Sequence, residues 1–423
     1  MNIVITGVTG FRNRGVEALV RPTIQQLTKR HPEASIQVVT WSPGYDAARL
    51  PDSRVSYLQD SYLQSGSWRK PAGSTGPTLI QLVAKRASQK FLKPAAPKKA
   101  EAGKPDLDMP FDKADLVIVS GGDLFSSDYG TASLNHFCSP VHWALQNDVP
   151  IALIGQSVGR FKCDEDAAIW NEAEKNASLI TLREASSRNY LTEKLGSPAS
   201  RLPVTADTAF LLEPDTTLAE QHMPASEGPW VALSISESIC GWTGNNYEAH
   251  REAWVQLIKL MLDRWNVRIA IIPHVQEPGA DDRVVSSWIA RELGFDRRVR
   301  VFGEDLSAAE FKGLVSRSEM VVAERMHAAI AGLSTGRCTV PVGYSIKAEG
   351  ITAAVMEGSS MNSSDLVIPV SDLFNVSSAF AKLDNAWQNR EAYAAAAAHG
   401  SVKQKALALK NFEMIDALLS KAA

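Results

Sequence analysis

MVVAERMHAAIAGLSTGRCTVPVGYSIKAEGI, residues 320–351, is the stretch on which the reading of the fold turns. Residues 320–323 are an apolar run with the character of a strand end. Arg325 and His327 follow and open a helix of small residues over 328–333. A second short strand over 339–343 delivers Tyr344 and Lys347 into a loop. Two cations and an imidazole therefore fall at the carboxyl ends of two neighbouring parallel strands. Open α/β sheets bind ligands at that crevice, beside helix N-termini that favour anions. The stretch reads as a grip for an anionic donor, to which the rest of the chain brings an acceptor.

A chain of 423 residues exceeds the length at which one core stops growing, so two domains are expected. With 45% hydrophobic and 22% charged residues, the composition is that of an ordinary globular protein. A net charge of −3 gives no basic field for nucleic acid. Cys138, Cys163, Cys240 and Cys338 are scattered, with no CxxC spacing, which fits a reducing compartment better than a disulfide framework or a zinc site. MNIVITGVTG at the start lacks the basic region of a signal peptide. No later apolar run approaches a spanning helix. The expectation is a cytoplasmic protein, with docking on the inner face of the membrane left open.

Outward from the opening stretch, the chain alternates strand and helix. NIVIT (residues 2–6) is a β-branched run suited to a parallel strand buried on both faces. A glycine-bearing loop aims Asn13, Arg14 and Glu17 at a cleft, and an amphipathic helix and the strand SIQVVT (35–40) complete a βαβ opening. Residues 63–112 interrupt the pattern with two Pro/Ala/Lys/Gly-rich segments, as an inserted lid or interaction arm would. ADLVIVS (114–120) runs into a loop carrying Asp123 and Asp128, and further strands end at Gln156–Ser157, at Arg183–Glu184 and before Asp207. Residues 213–229 are polar, Pro-rich and unpatterned, a linker. Strands then restart at 230–235 and at 268–273, the latter ending in His274 with Asp282 a loop away. An amphipathic helix over 402–419 closes the chain, placed to cross back to the first domain.

The fold class is therefore α/β, two Rossmann-like domains with parallel sheets facing each other across a cleft. Residues 1–212 form the acceptor side and 230–395 the donor side, with 396–423 as the returning helix. Two ligands brought together suit a transferase better than a hydrolase.

Eight segments occur in an order similar to the motif series of the polysaccharide pyruvyl transferase family. They are NRGVEAL (13–19), VSGGDLFSSDYG (119–130), IGQSVGRF (154–161), TLREASS (181–187), TADTAFLL (205–212), IPHVQEPGADD (272–282), ERMHAAIAG (324–332) and VPVGYSIKAEGI (340–351). Asp123 stands where a third glycine is common, Arg160 where proline is common, and Val16 where an acid is common. The resemblance implies a GT-B-like fold and transfer of pyruvate from phosphoenolpyruvate, as a ketal, onto a sugar. Phosphoenolpyruvate would be a co-substrate, with no cofactor. The partner would be a saccharide acceptor, lipid-linked acceptors included.

That chemistry assigns roles to the residues. A trianionic donor needs cations to hold it and to absorb charge on the leaving phosphate. Arg325, Lys347 and Arg183 fit, with His274 and Tyr344 beside them. Histidine titrates near neutral pH, so His327 is the candidate general acid/base, with Arg325 as its catalytic neighbour. Asn13, Glu17, Asp123 and Asp128 would orient sugar hydroxyls. The scheme needs no metal, and the Asp/His set lacks a ligand spacing such as HExxH. Two rival readings share the scaffold: a GT-B glycosyltransferase using a nucleotide sugar, and a non-catalytic sugar- or anion-binding protein. The E-x7-E pattern of many retaining glycosyltransferases is absent, since Ala331 and Gly332 stand seven and eight residues after Glu324.

Overall fold

The computed structural model describes residues 1–60, 113–343 and 346–422. The 63–112 insertion and Tyr344 lie outside the described residues.

Two parallel sheets organise the chain. The first contains β1 (Asn2–Val8), β2 (Ser35–Thr40), β3 (Val55–Gln59), β4 (Leu116–Val119), β5 (Gly122–Phe125), β6 (Ile151–Val158) and β7 (Leu179–Leu182). Its order is β3-β2-β1-β4-β6-β5, with β7 also pairing with β6. The second contains β8 (Trp230–Ser234), β9 (Arg268–Ile271), β10 (Val299–Val301), β11 (Met320–Ala323), β12 (Cys338–Gly343) and β13 (Ile368–Pro369), in the order β10-β9-β8-β11-β12-β13. The central strands are continuous apolar runs: every residue of β4, β6, β8 and β11 is buried. That is the signature of strands covered on both faces by helices.

In each sheet the order reverses beside the first strand, between β1 and β4 and between β8 and β11. The loops after these strands open the crevice where α/β sheets take ligands. β11 and β12 are neighbours in parallel register, Met320 opposite Cys338 and Ala323 opposite Pro341. The sequence reading placed Asp123 in a loop, but it lies on β5. That short strand continues beyond β4 and pairs with the second half of β6, Gly122 opposite Gln156 and Phe125 opposite Val158.

The last helix is a single element, Arg390–Ala422, rather than a helix confined to 402–419. Its early part packs on the second sheet's core through Ala397 and Ala408. Its later part reaches the first sheet's core, where Phe412 and Ile415 are fully buried. Burying each contributes roughly 1.5–3 kcal/mol. Asn411 ties the crossing down, taking hydrogen bonds from Thr181 and Thr205 and donating to the Ala206 carbonyl at 3.0 Å.

A polar latch also joins the halves. Residue 13 forms an antiparallel bridge with residue 275, and the Gln276 amide donates to the Arg12 carbonyl at 2.9 Å. The buried Arg14 reaches Gln276 Oε1 at 3.1 Å and also Asp305. Tyr45 Oη (2.6 Å) and Arg49 Nη2 (3.0 Å) donate to the same Asp305 oxygen.

Candidate active site

Most of the expected groups meet in the crevice, each placed by a strand end or a helix start. Arg325 follows β11 and is the cap residue of the helix Met326–Ser334, so His327 sits in that helix's first turn. Lys347 lies in the first turn of the helix Ile346–Met356 after β12. From the first sheet come Asp123 on β5, Asp128 in the turn Ser127–Tyr129, and Arg183 just past β7. Asp207 caps the turn Thr208–Leu211 by accepting from the Ala209 amide at 2.8 Å.

Lys347 Nζ bonds Asp123 Oδ2 at 3.1 Å and Asp128 Oδ2 at 3.3 Å. Tyr129 Oη donates to the same Asp123 oxygen at 3.2 Å. Arg183 is buried, its Nη1 2.8 Å from Asp207 Oδ2 and its Nε 2.7 Å from Ser157 Oγ. His327 Nε2 lies 3.6 Å from Asp207 Oδ2, in ion-pair range but too long for a hydrogen bond. Burial alone would raise Asp123, but Lys347, Arg183 and His327 outweigh it and hold this carboxyl at about 2. Burial likewise opposes ionisation of Asp207, and His327 and Arg183 hold it far below the usual carboxylate range. Both acids are therefore anions at neutral pH, and each feels cations from both halves.

His327 owes its position to Gly15 at the start of the helix Arg14–Arg30. A Cβ added there would stand 2.4 Å from His327 Nδ1, inside any permitted contact, so only glycine lets that helix start meet the imidazole.

Arg325 is held by a fork. Its Nη2 and Nε bond the two oxygens of buried Asp282 at 2.8 and 3.1 Å, and Nη2 also bonds Ser238 Oγ at 3.1 Å. The preceding residue, Glu324, is fixed in turn by the Ser236 amide (2.6 Å), His250 Nε2 (2.7 Å) and Trp254 Nε1 (3.0 Å). This chain of contacts orients the guanidinium before any ligand arrives.

Three expected residues behave differently. His274 is buried, stacks edge-on against Phe311 at 4.4 Å, and has neither ring nitrogen hydrogen-bonded among the described residues. Burial, then the charges of His327, Arg325 and Arg14, push its pKa well below the ordinary imidazole value, so it cannot join the donor grip as a cation. Glu17 is fully buried. Its Oε1 is 2.7 Å from Arg21, while Oε2 lies 3.7 Å from Arg49 and 3.9 Å from Arg14 with no hydrogen-bond partner among the described residues. Asn13 spends its side-chain oxygen on the Gly15 amide at 3.0 Å, capping a helix.

Ser157, Tyr129, Asp282 and Ser238 complete the constellation; the sequence offers Asp282 for positioning the donor phosphate or a helix start and Ser157 as an oxyanion donor, and it gives Tyr129 and Ser238 no role. Tyr129 and Ser157 stand inside quoted motifs, so a signal existed. The pairing of Arg325 with Asp282 spans 43 residues and becomes visible only in the folded chain. Lys312 was missed altogether. It is buried beside His274 and His327, and donates to the carbonyls of Leu212 (2.6 Å) and Ala209 (3.3 Å). Burial lowers its pKa to about 7. Among the described residues no group of three or more His, Cys, Asp or Glu is placed to hold a metal ion. Among them, too, no helix is long and apolar enough to cross a membrane.

Two parallel Rossmann-like sheets, with charged groups converging from both, define a protein of GT-B-like fold. The solved structures it resembles carry that fold. A putative UDP-N-acetylglucosamine 2-epimerase from Listeria monocytogenes superposes with a TM-score of 0.60 at 12% identity, covering 98% of this chain and 95% of that one. The S. aureus MnaA–UDP co-structure gives 0.60 at 12% identity, covering 99% and 96%. At these identities the likeness concerns the fold alone. The family model for polysaccharide pyruvyl transferase matches residues 13–346, and the chain belongs to that family. Amylovoran biosynthesis protein AmsJ from Erwinia amylovora is 24% identical over 373 residues, covering 83% of this chain and 85% of that protein. The chain is thus a transferase of polysaccharide biosynthesis, and its family reaction is pyruvyl transfer.

Proposed function

We propose that the chain moves the enolpyruvyl-derived group of phosphoenolpyruvate onto two hydroxyls of one saccharide, closing a pyruvate ketal and releasing phosphate. The observation that carries this reading is the convergence of Arg183, His327 and Lys347 on Asp123 and Asp207. A small, highly charged anion and a polyol both find complementary groups there.

The second sheet is the donor side. Arg325, already aligned by Asp282, offers a planar fork to a carboxylate or phosphate, whereas Lys347 acts as a point charge. Arg183 adds a third cation from across the crevice. Each is paired with a carboxylate that orients it, so the donor's anionic groups would take over charges already placed, with little reorganisation. The first sheet is the acceptor side, where Asp123 and Asp128 accept hydrogen bonds from sugar hydroxyls. His327 takes the proton of the attacking hydroxyl, and Asp207 stabilises the imidazolium that results. The reading places the chain in the cytoplasm, with lipid-linked acceptors presented at the inner face of the membrane.

The test is phosphate release from phosphoenolpyruvate with a panel of glycans, run beside nucleotide-sugar donors, with the product weighed by mass spectrometry. A pyruvyl adduct is expected. A hexose adduct, or no turnover with any phosphoenolpyruvate and glycan pair, would overturn the proposal.

A further inference from the structure

The carboxylates of the site have cationic partners: Asp123 and Asp128 face Lys347, Asp207 faces Arg183, and Asp282 faces Arg325. Glu277 differs. It lies in the loop between β9 and the helix Asp282–Glu292, one residue beyond Gln276, which the latch fixes. Its side chain is partly buried, and its Oε1 is sealed from solvent without a hydrogen-bond partner among the described residues. The charges acting on it are Arg325 from the end of β11, Asp46 from the helix Pro43–Arg49, Arg12 from the loop after β1 and Arg14 from the start of the helix Arg14–Arg30. Its loop is tied to the donor grip by geometry: two residues before it, the Val275 amide donates at 3.0 Å to the Asp282 carboxylate that holds Arg325.

We propose that Glu277 is the acid that delivers a proton to the methylene carbon of the enolpyruvyl donor, an inference that rests on the pyruvyl-transfer reading. An unpartnered carboxyl in such a place is costly as an anion and cheap as an acid. Burial, helped by Asp46, raises it to about 7 against the pull of Arg325, Arg12 and Arg14. When a trianionic donor occupies Arg325, the strongest of those lowering charges is cancelled and a negative charge arrives beside it. Both changes favour the protonated form, so the acid is loaded when the donor is present. Asp207 is pushed in the opposite direction by its own neighbours. A carboxylic acid and a carboxylate-supported imidazole within one crevice form a matched acid and base.

The protons balance with these two groups. Glu277 gives its proton to the methylene carbon, using the double-bond electron pair to form the new C–H bond. The first hydroxyl attacks the adjoining carbon and passes its proton to His327. Phosphate departs with the electron pair of its C–O bond and takes the proton held by His327. The second hydroxyl closes the ketal and returns its proton to Glu277. Of the two hydroxyl protons consumed, one ends in the methyl group and the other on phosphate.

The experiment compares wild type, Glu277→Gln and Glu277→Asp by phosphate release across pH, with the product formed in deuterated water. In the wild type, one solvent deuterium should enter the product methyl group, and kcat should fall as pH rises through the titration of the acid. Glu277→Gln should lose about 10²-fold or more of kcat, keep the donor KM within a few-fold, and lose that alkaline limb. Glu277→Asp should restore part of the rate with the limb returned, which separates proton donation from folding. A Gln variant with kcat within tenfold of wild type and an unchanged pH profile would overturn the assignment. So would a loss confined to KM or to melting temperature. Should the wild type itself release no phosphate with any acceptor, the pyruvyl-transfer reading falls, and this assignment with it.

Discussion

The two halves of the molecule are joined by two sets of charges wired with opposite polarity. At the site, the second-sheet side brings His327 and Lys347 to Asp207, Asp123 and Asp128 of the first. At the latch, the first-sheet side brings Arg14 and Arg49 to Asp305 of the second. Burial separates them further, since the Asp207 side chain is 1% exposed and that of Asp305 54%. Solvent screens the latch, so its pairs are worth about 1 kcal/mol or less each. Charges buried as deeply as Asp207 and Arg183 cost desolvation that a core of apolar residues would avoid. Groups kept at such cost in a crevice are candidates for chemistry rather than for stability. The latch holds the halves in position, and the site uses that position.

The sharpest way to break this contrast is His327→Ala. Phosphate release should fall by about 10³-fold while donor binding persists, as for loss of a general acid/base; titration calorimetry with phosphoenolpyruvate would check the binding. Next comes Gly15→Ala, which leaves every side chain of the site in place. It drives a methyl group against the imidazole, and a misplacement of that size costs about 10²-fold in kcat, with the circular dichroism spectrum unchanged. Lys347→Ala should mainly weaken the donor, raising its KM about tenfold or more for a lost charge-assisted bond. Full activity in that variant would argue against the lysine's place in the grip.

Stability effects rank lower. Lys312 is a lysine whose folded pKa is depressed to about 7 by burial, whereas the unfolded chain keeps an ordinary lysine near 10.4. Between those values the unfolded state binds the extra proton, so this group makes the fold more stable as pH rises from about 7 to about 10. Lys312→Met should flatten that part of the melting-temperature profile relative to wild type. Smallest of all is Asp305→Asn, expected to shift urea unfolding by about 1 kcal/mol or less and to do so less at high salt. A larger loss there would mean that the latch is more than a rim contact.

What could be read from the sequence follows physical lines. Buried parallel strands announce themselves as apolar runs, so β1, β4, β6, β8 and β11 stand out. Polar groups just past such runs (Arg183, Asp207, Arg325, His327, Lys347) are placed by the chain's own geometry, and the ordered motifs single them out. Asp123 was found, but its strand was not, because GDLF is too short and glycine-led to read as one. Partners were hidden. Nothing local tells Arg325 that Asp282 is waiting, or Arg14 that Asp305 lies 291 residues away. Lys312 was hidden for another reason, since a lysine in an amphipathic helix ordinarily points to water. Glu17 and His274 turn inward, as a polar side chain beside a cleft can, and nothing local in the sequence announces that burial.

The returning helix Arg390–Ala422 carries a consequence for how the protein is made. The first sheet would leave the ribosome long before residues 411–415, yet Asn411, Phe412 and Ile415 supply part of its interior. Through most of synthesis, then, the earliest sheet has an apolar hollow and two hydroxyls, on Thr181 and Thr205, without the amide that receives them. The half that is translated first is finished last, and a truncation near residue 400 would injure the far end of the molecule from the cut.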